Sequence, residues 1–383
     1  MKRVSNLYKE ITSLDTIIRM YETTIKLNTK NKKKIQKFEN FYCCNIAKIK
    51  ESLCNKSYIV GSYNIFLVRE PKLRIIMSQE IIDKVVNNLV AKYFLVSVFD
   101  KSMLDRNCAT RIGKGTHYAL RLFKIDYNYF LTKYDKFYIL KLDISKYFYN
   151  IDHSITKELI RNKIKDKDVL KLLDKIIDST DEEYINNDIT RLKKCEIEKI
   201  NNSKLNEKEK KIKVQEVNEL PFYEKGKGCC IGNMVSQIIA TFYLNELDHY
   251  IYYDLNCKHF ARYMDDIYII HNDKDYLKHC LNKINIIVNK YKLSINKKTK
   301  IYNNKDDIEF LGFMFSSKKN NIKMRLTNKT KKKFKFNMKN RNNQLLYKEI
   351  DFNEYRSVRD SYRGHLEYGN CNNLYRKVVE YLK

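Results

Sequence analysis

Three aspartates in apolar, strand-like surroundings have the type and spacing to do chemistry in this 383-residue chain. Asp143 interrupts FYILKLDISKYFYNI (137–151), and the adjacent Asp265 and Asp266 interrupt FARYMDDIYII (260–270). A lone carboxylate in a buried strand is costly unless it is paired, hydrogen-bonded or bound to metal. Two such strands lying side by side would bring Asp143 and Asp265 together, and the clustered negative charge would favour divalent cations. Mg²⁺ takes oxygen ligands, keeps several waters and shares substrate phosphates. Two such ions about 4 Å apart activate an attacking 3′-hydroxyl and stabilise a pyrophosphate leaving group, which is the chemistry of nucleotidyl transfer. Each acid also has a plainer reading: Asp143 as a strand-end cap, and Tyr263-Met264-Asp265-Asp266 as a hairpin turn with two solvated acids.

The elements around the acids read as strand–helix, then helix–hairpin–helix–strand. Apolar runs flank Asp265 and Asp266 as two halves of a hairpin. DYLKHCLNKINIIVNKYKL follows as an amphipathic helix, and IEFLGFMFS (308–316) as one short strand. This order predicts an α+β fold with a split βαβ sheet backed by helices. Upstream, residues 1 to about 60 read as helical. Residues 62–79 read as two β-rich pieces broken at Glu70-Pro71, residues 80–99 have helical periodicity, and RIGKGTH (111–117) is a loop. Residues 178 to about 222 are polar, charge-mixed and poor in large apolar side chains, so they read as a surface insertion and not a core element. From Ser317 to Asn342 there are eleven Lys or Arg and no acid, and two helices follow.

The formal net charge is +29, from 75 basic and 46 acidic residues, the footprint of a polyanion binder. An AT-rich coding bias enriches Lys and Asn, but it does not enforce so large an imbalance. No run approaches the roughly 18 apolar residues of a membrane helix, and MKRVSNLYKE lacks the apolar region of a secretory signal. The ten cysteines are singles and two adjacent pairs without metal-ligand spacing. Structural zinc is therefore not expected, and reduced thiols in a cytoplasm are.

YMDD within ARYMDDIYII resembles the catalytic motif of reverse transcriptases, and further blocks follow the order of that family. KLDISKYFYNIDHSI is similar to its first palm motif, GKGCCIGNMVSQIIATFYLNELDHYI to its loop-helix motif, LSINKKTKI (293–301) to its lysine-bearing motif and IEFLGFMF to its primer-grip strand. REPKLRIIMSQ and RNCATRIGKGTHYAL resemble fingers motifs of the bacterial enzymes. The resemblance implies a right-hand polymerase. It would comprise an N-terminal helical extension and fingers (1–136), a palm with an insertion at about 178–222 (137–316), and a basic helical thumb (317–383). It implies an RNA-directed DNA polymerase using two Mg²⁺ ions, for which Mn²⁺ can substitute. Asp143, Asp265 and Asp266 would be catalytic and hold the metals together with the Ile144 carbonyl. Lys72 and Arg74 would grip the triphosphate. Phe148, five residues after Asp143, falls at the steric-gate position, and Lys298 would act on the pyrophosphate. Solvated basic faces and core aromatics are the plainer alternatives for these residues. Lys114 would contact the template, with His117 structural. The basic run with Lys318, Lys319, Lys331, Lys332, Lys333 and Lys335, interleaved with Phe334 and Phe336, would grip the nucleic-acid backbone, or else form a solvated lysine helix.

The loop IGNMVSQ narrows the resemblance. Where retroviral and group II intron enzymes usually carry QGxxxSP, Ile231 replaces glutamine and Gln237 replaces proline, while Gly232 is kept for close backbone approach to the nascent pair. This pattern is similar to that of diversity-generating retroelements, in which it accompanies error-prone copying at template adenines, and to that of some defence-associated bacterial enzymes. The partners implied are a structured template or non-coding RNA, the cDNA product, dNTPs, and either a small basic accessory protein or an antiviral defence partner. The host would be bacterial or phage, with no membrane involved. A non-catalytic RNA-binding descendant and a template-independent polymerase are the rivals. Retention of all three acids argues against the first.

Overall fold

The computed structural model describes residues 4–5, 7–69, 72–318, 321–369 and 371–380. The Glu70-Pro71 break and Lys319 lie outside the described residues. Side chains alternate between the two faces of a strand, and this period organises the centre of the molecule. β1 (Asn64–Val68) and β2 (Arg74–Ser78) form an antiparallel hairpin. β3 (Tyr138–Asp143), β4 (Phe260–Tyr263), β5 (Asp266–His271) and β6 (Lys300–Asn303) form an antiparallel sheet in the order β4-β5-β3-β6. Leu140, Leu142, Phe260, Ile267 and Ile269 project from one face into the largest core. They pack there with Leu277, Cys280, Ile284 and Val288 of helix Lys274–Lys290 and with the buried side of helix Met234–Tyr243. The other face sends Ile139, Ala261, Tyr268 and Ile270 into a second, aromatic core with Phe123 and Tyr127 of helix Thr116–Lys133. Burial on both faces explains why DIYIIH lacks a clean polar–apolar alternation.

The N-terminal helices, from Tyr8–Thr12 to Tyr42–Cys54, share the largest core with helix Ile81–Val90 through Ile11, Ile17, Tyr21 and Ile49. The polar stretch read as a surface insertion does not stay outside the cores. It forms helices Glu183–Asn201 and Glu207–Asn218, and Ile185, Ile189 and Leu220 are buried against Tyr63, Ile65, Ile75 and Met77 of the β1–β2 region. One apolar residue per turn was enough, because the β1–β2 hairpin offered an apolar face to receive it. IEFLGFMFS is likewise not one strand. A turn at Leu311-Gly312, both with positive φ, separates β7 (Ile308–Phe310) from β8 (Phe313–Lys318). β9 (Asn321–Leu326) completes a three-stranded sheet. The basic run therefore begins in β8 and β9, and its helical part starts only at Asn328. That helix spans Asn328–Leu346, and the two helices expected after the run are present as Phe352–Tyr368 and Asn372–Glu380.

Candidate active site

Register places the acids. β3 and β5 pair with Asp143 opposite Asp266, Lys141 opposite Tyr268 and Ile139 opposite Ile270. These pairs share one face of the sheet. Its far end is covered by the aromatic core, and its near end carries Asp143, Asp266 and Lys141. Tyr263 pairs with Asp266, so Met264 and Asp265 alone form the turn between β4 and β5. The expected strand adjacency is present, but the residue facing Asp143 across the ladder is Asp266, with Asp265 at the tip.

A two-residue hairpin turn needs a left-handed residue, and Met264 takes that position with φ +57°. Its carbonyl accepts a 3.0 Å hydrogen bond from the Arg262 guanidinium, and its side chain packs against the largest core. Arg262 projects from β4 on the face opposite the acids and is fully buried. It donates from Nε to Asp248 Oδ1 at 2.7 Å, and from its terminal nitrogens to Asp248 Oδ2 at 2.6 Å and the Thr241 carbonyl at 2.7 Å. Asn107 donates to the same Thr241 carbonyl and to Asp248 Oδ2. Burial works against the Arg262 charge, but Asp248 outweighs it and the guanidinium is held more firmly protonated. Sequence reasoning missed this network. Its one signal was an arginine inside the apolar run FARYM.

The acids themselves have no such compensation. Burial pushes the Asp265 carboxyl up to about 6; a backbone hydrogen bond and Arg74 oppose this, while Asp143 and Asp266 add to it. Asp266 is also raised by burial and by Asp143, against the pull of Lys141, whose ammonium is 3.5 Å away, and of Lys72. Half-buried carboxylates clustered this closely are a donor set suited to hard divalent cations. Asp143, Asp265 and Asp266 are the residues that could hold them.

A loop straps the Asp143 end of β3. The Asn296 N–H donates to the Asp143 carbonyl at 2.8 Å and the Ser145 N–H to the Ser294 carbonyl at 2.9 Å, so Ile144 bridges Ile295. Lys298 is exposed in this strap. On the other side, the Met77 N–H of β2 donates to the Ile231 carbonyl at 2.9 Å. Next to it Gly232 has φ +139°, and a Cβ there would lie 2.8 Å from the Met77 carbonyl oxygen, so only glycine fits this contact. The hairpin β1–β2 is thereby tied to the loop, and its Lys72 and Arg74 are exposed yet close enough to act on the acids. Asn233 caps helix Met234–Tyr243 through Ser236 at 2.7 Å, leaving Gln237 exposed on its first turns. Phe148 is half-buried in the short helix Tyr147–Asn150, and its carbonyl accepts from the Cys229 N–H at 2.7 Å. Loop, hairpin and Phe148 thus form one hydrogen-bonded unit beside the acids.

Other expected contacts are not brought to this unit. The Lys114 ammonium is not free: it donates to Asp105 and lies 5.3 Å from the Tyr118 ring centre. His117 stacks on Tyr368 with ring centres 4.1 Å apart. On helix Asn328–Leu346, Lys332 and Lys335 are exposed and Lys331 and Lys333 half-exposed. Phe334, however, is buried in the aromatic core while Phe336 points outward. Lys318 contributes its backbone to the end of β8.

Among the described residues no helix is long and apolar enough to cross a membrane. A family model described as reverse transcriptase (RNA-dependent DNA polymerase) matches residues 69–315. No curated protein matches the chain.

Proposed function

Because this chain belongs to the reverse transcriptase family, and so is an RNA-directed DNA polymerase and nucleotidyltransferase, we propose that Asp143, Asp265 and Asp266 are its catalytic acids. The observation that carries this reading is the β3–β5 register, which sets Asp143 opposite Asp266 with Asp265 at the adjoining tip. Family members use divalent metal ions. Here Asp143 and Asp265, with Asp266 and the Ile144 carbonyl in support, would hold two Mg²⁺. These supply charge neutralisation and activation of the primer 3′-hydroxyl. Lys72 and Arg74 draw the triphosphate toward the acids. Phe148 lies under the sugar and disfavours a 2′-hydroxyl. Ile231, Gly232 and Gln237 support the nascent pair, and Lys298 offers charge to the departing pyrophosphate. Lys331, Lys332, Lys333 and Lys335 line a helix that can follow a duplex backbone, with residues 317–383 as thumb, 137–316 as palm and 1–136 as fingers with their helical extension. Lys114, occupied by Asp105, is given no role here.

The biological setting proposed is error-prone cDNA synthesis on a structured RNA, as in diversity-generating retroelements. Ile231 and Gln237 carry that reading: an apolar side chain at 231 cannot hydrogen-bond near the pair as glutamine would. The competing setting is antiviral defence with a non-coding RNA. The helical hairpin 183–218, packed on the β1–β2 region, favours a specialised enzyme in either setting. Primer extension on homopolymer templates, with Asp265→Ala as control, tests the activity; metal-independent or absent incorporation refutes the catalytic assignment. Sequencing of the cDNA tests the setting. Errors concentrated at template adenines and reduced by Ile231→Gln support the retroelement reading, and an even error spectrum overturns it.

A further inference from the structure

Away from the three acids, the geometry points to a second metal site, for a divalent ion of the zinc class, formed by His153, Asp178 and Asp181. His153 opens helix His153–Arg161, Asp178 closes helix Lys167–Asp178, and Asp181 follows in the next turn. One ligand atom from each lies within 4.8 Å of the others.

The imidazole is the informative group. His153 is 3% exposed. Its Nε2 is 2.8 Å from the Gly228 carbonyl oxygen, which can only accept, so Nε2 carries the ring proton. In the neutral ring Nδ1 then presents a lone pair. Nδ1 is buried and has no hydrogen-bond partner. It faces Asp178 Oδ1 at 3.4 Å and Asp181 Oδ2 at 3.6 Å. Both separations exceed the roughly 2.7–3.2 Å of an N–H···O bond. The first matches the edge of a coordination tetrahedron, which is about 3.3–3.4 Å for bonds of about 2.0–2.1 Å, and the second exceeds it by about 0.2 Å.

The surroundings fit a ligand set as well. A metal-bound histidine usually donates its second ring N–H to a carbonyl or carboxylate, the bond His153 makes to Gly228. The Gly226 N–H donates to Asp181 Oδ1 at 2.9 Å, orienting that carboxylate. Lys157 donates to both Asp178 oxygens, at 2.6 and 2.7 Å. Two carboxylates against one ammonium still leave a negative charge beside a neutral imidazole. An ion there would join the two helix ends to Gly226 and Gly228, which lead into Cys229 and the 231–237 loop. The site needs no cysteine, which is why cysteine and histidine spacing in the sequence does not reveal it. It stands independently of the polymerase assignment.

The rival is a doubly protonated His153 acting as a cation between the two aspartates. To separate them, the full chain carrying Asp143→Asn and Asp265→Asn, which remove the competing acids, is stripped with chelator and titrated with Co²⁺ as the probe. One equivalent with a visible band of four-coordinate cobalt is expected. With Zn²⁺ the melting temperature is expected to rise on the order of 3–5 °C. His153→Gln and Asp181→Asn should each abolish both effects, and Asp181→Asn keeps an acceptor for Gly226 if the histidine variant fails to fold. No bound equivalent in the parent, or equal binding after Asp181→Asn, overturns the site. So does a proton on His153 Nδ1, seen by long-range ¹H–¹⁵N spectra at pH 8 with Zn²⁺ present.

Discussion

Arg262 and the Asp143–Asp266 pair lie on opposite faces of the same small sheet and treat charge in opposite ways. On the helix-backed face, one guanidinium meets one carboxylate at two points, and the neighbouring Thr241 carbonyl and Asn107 amide take up what remains. Both Asp248 oxygens are engaged there. On the other face, three carboxylates cluster with Lys141 as the one ion-paired lysine, and burial together with Asp143 raises the proton affinity of Asp265 and Asp266 against the pull of Lys141, Lys72 and Arg74. The compensated cluster holds the turn in shape, and the uncompensated one keeps an affinity for cations. A buried salt bridge often adds little net stability against an apolar pair of the same size. Here it supplies directed donors to the Met264 carbonyl, which an apolar pair cannot.

Changes to the two clusters should therefore separate function from stability. Asp265→Asn or Asp143→Asn is expected to reduce nucleotide incorporation by on the order of 10³-fold. In metal-free buffer the melting temperature should not fall, since like-charge repulsion is relieved. A large loss of stability would erase the contrast. Arg262→Met does the reverse: it strands Asp248 in the core and should cost about 3–5 kcal/mol in urea unfolding. Adding Asp248→Leu should restore most of that stability. If the single variant is neutral, the buried pair does not hold the turn.

A third comparison uses pH. The Asp265 carboxyl, raised to about 6, keeps its proton where the unfolded chain, with an ordinary aspartate near 3.9, has released it. Through this group, metal-free stability falls as pH rises from about 4 to 6 and is flat above. Metal must displace that proton, so half-saturating Mg²⁺ should rise up to about tenfold per pH unit below 6. Calorimetric metal titrations at pH 5.5 and 7.5 check this, with the dependence expected to weaken in Asp265→Asn and the remainder to come from Asp266, which is also raised. The smallest effect is expected for Lys141→Met. Removing the cation beside Asp266 should tighten Mg²⁺ at pH 8 by about two- to fivefold, roughly 0.4–1 kcal/mol. Weaker binding would mean that Lys141 orients Asp266 and does not merely offset it.

Local patterns made the acids legible. Apolar runs around Asp143 and Asp265 gave strands, and the MD step gave a turn; glycine at 232 was expected to approach the nascent pair, and the close approach seen is to the Met77 carbonyl. Residues whose roles depend on distant partners were not legible. Phe334 and Phe336 look equivalent in KKKFKF, yet one is in the aromatic core and the other in solvent, as their positions around the helix dictate. Lys114 looks free until Asp105 is seen beside it. The insertion looked too polar to pack because its receiving surface, the β1–β2 hairpin, lies far away in the chain.

By itself the sequence determined the strand and helix identities around the acids and the order of motifs, because these rest on periods of a few residues. It also determined the excess positive charge. Tertiary structure decided that Asp143 faces Asp266 and not Asp265, because register depends on where the two-residue turn closes. It decided that Arg262 and Asp248 are partners, and that His153 meets Asp178 and Asp181, because side-chain direction and burial are set by packing between segments whose separation no local pattern encodes.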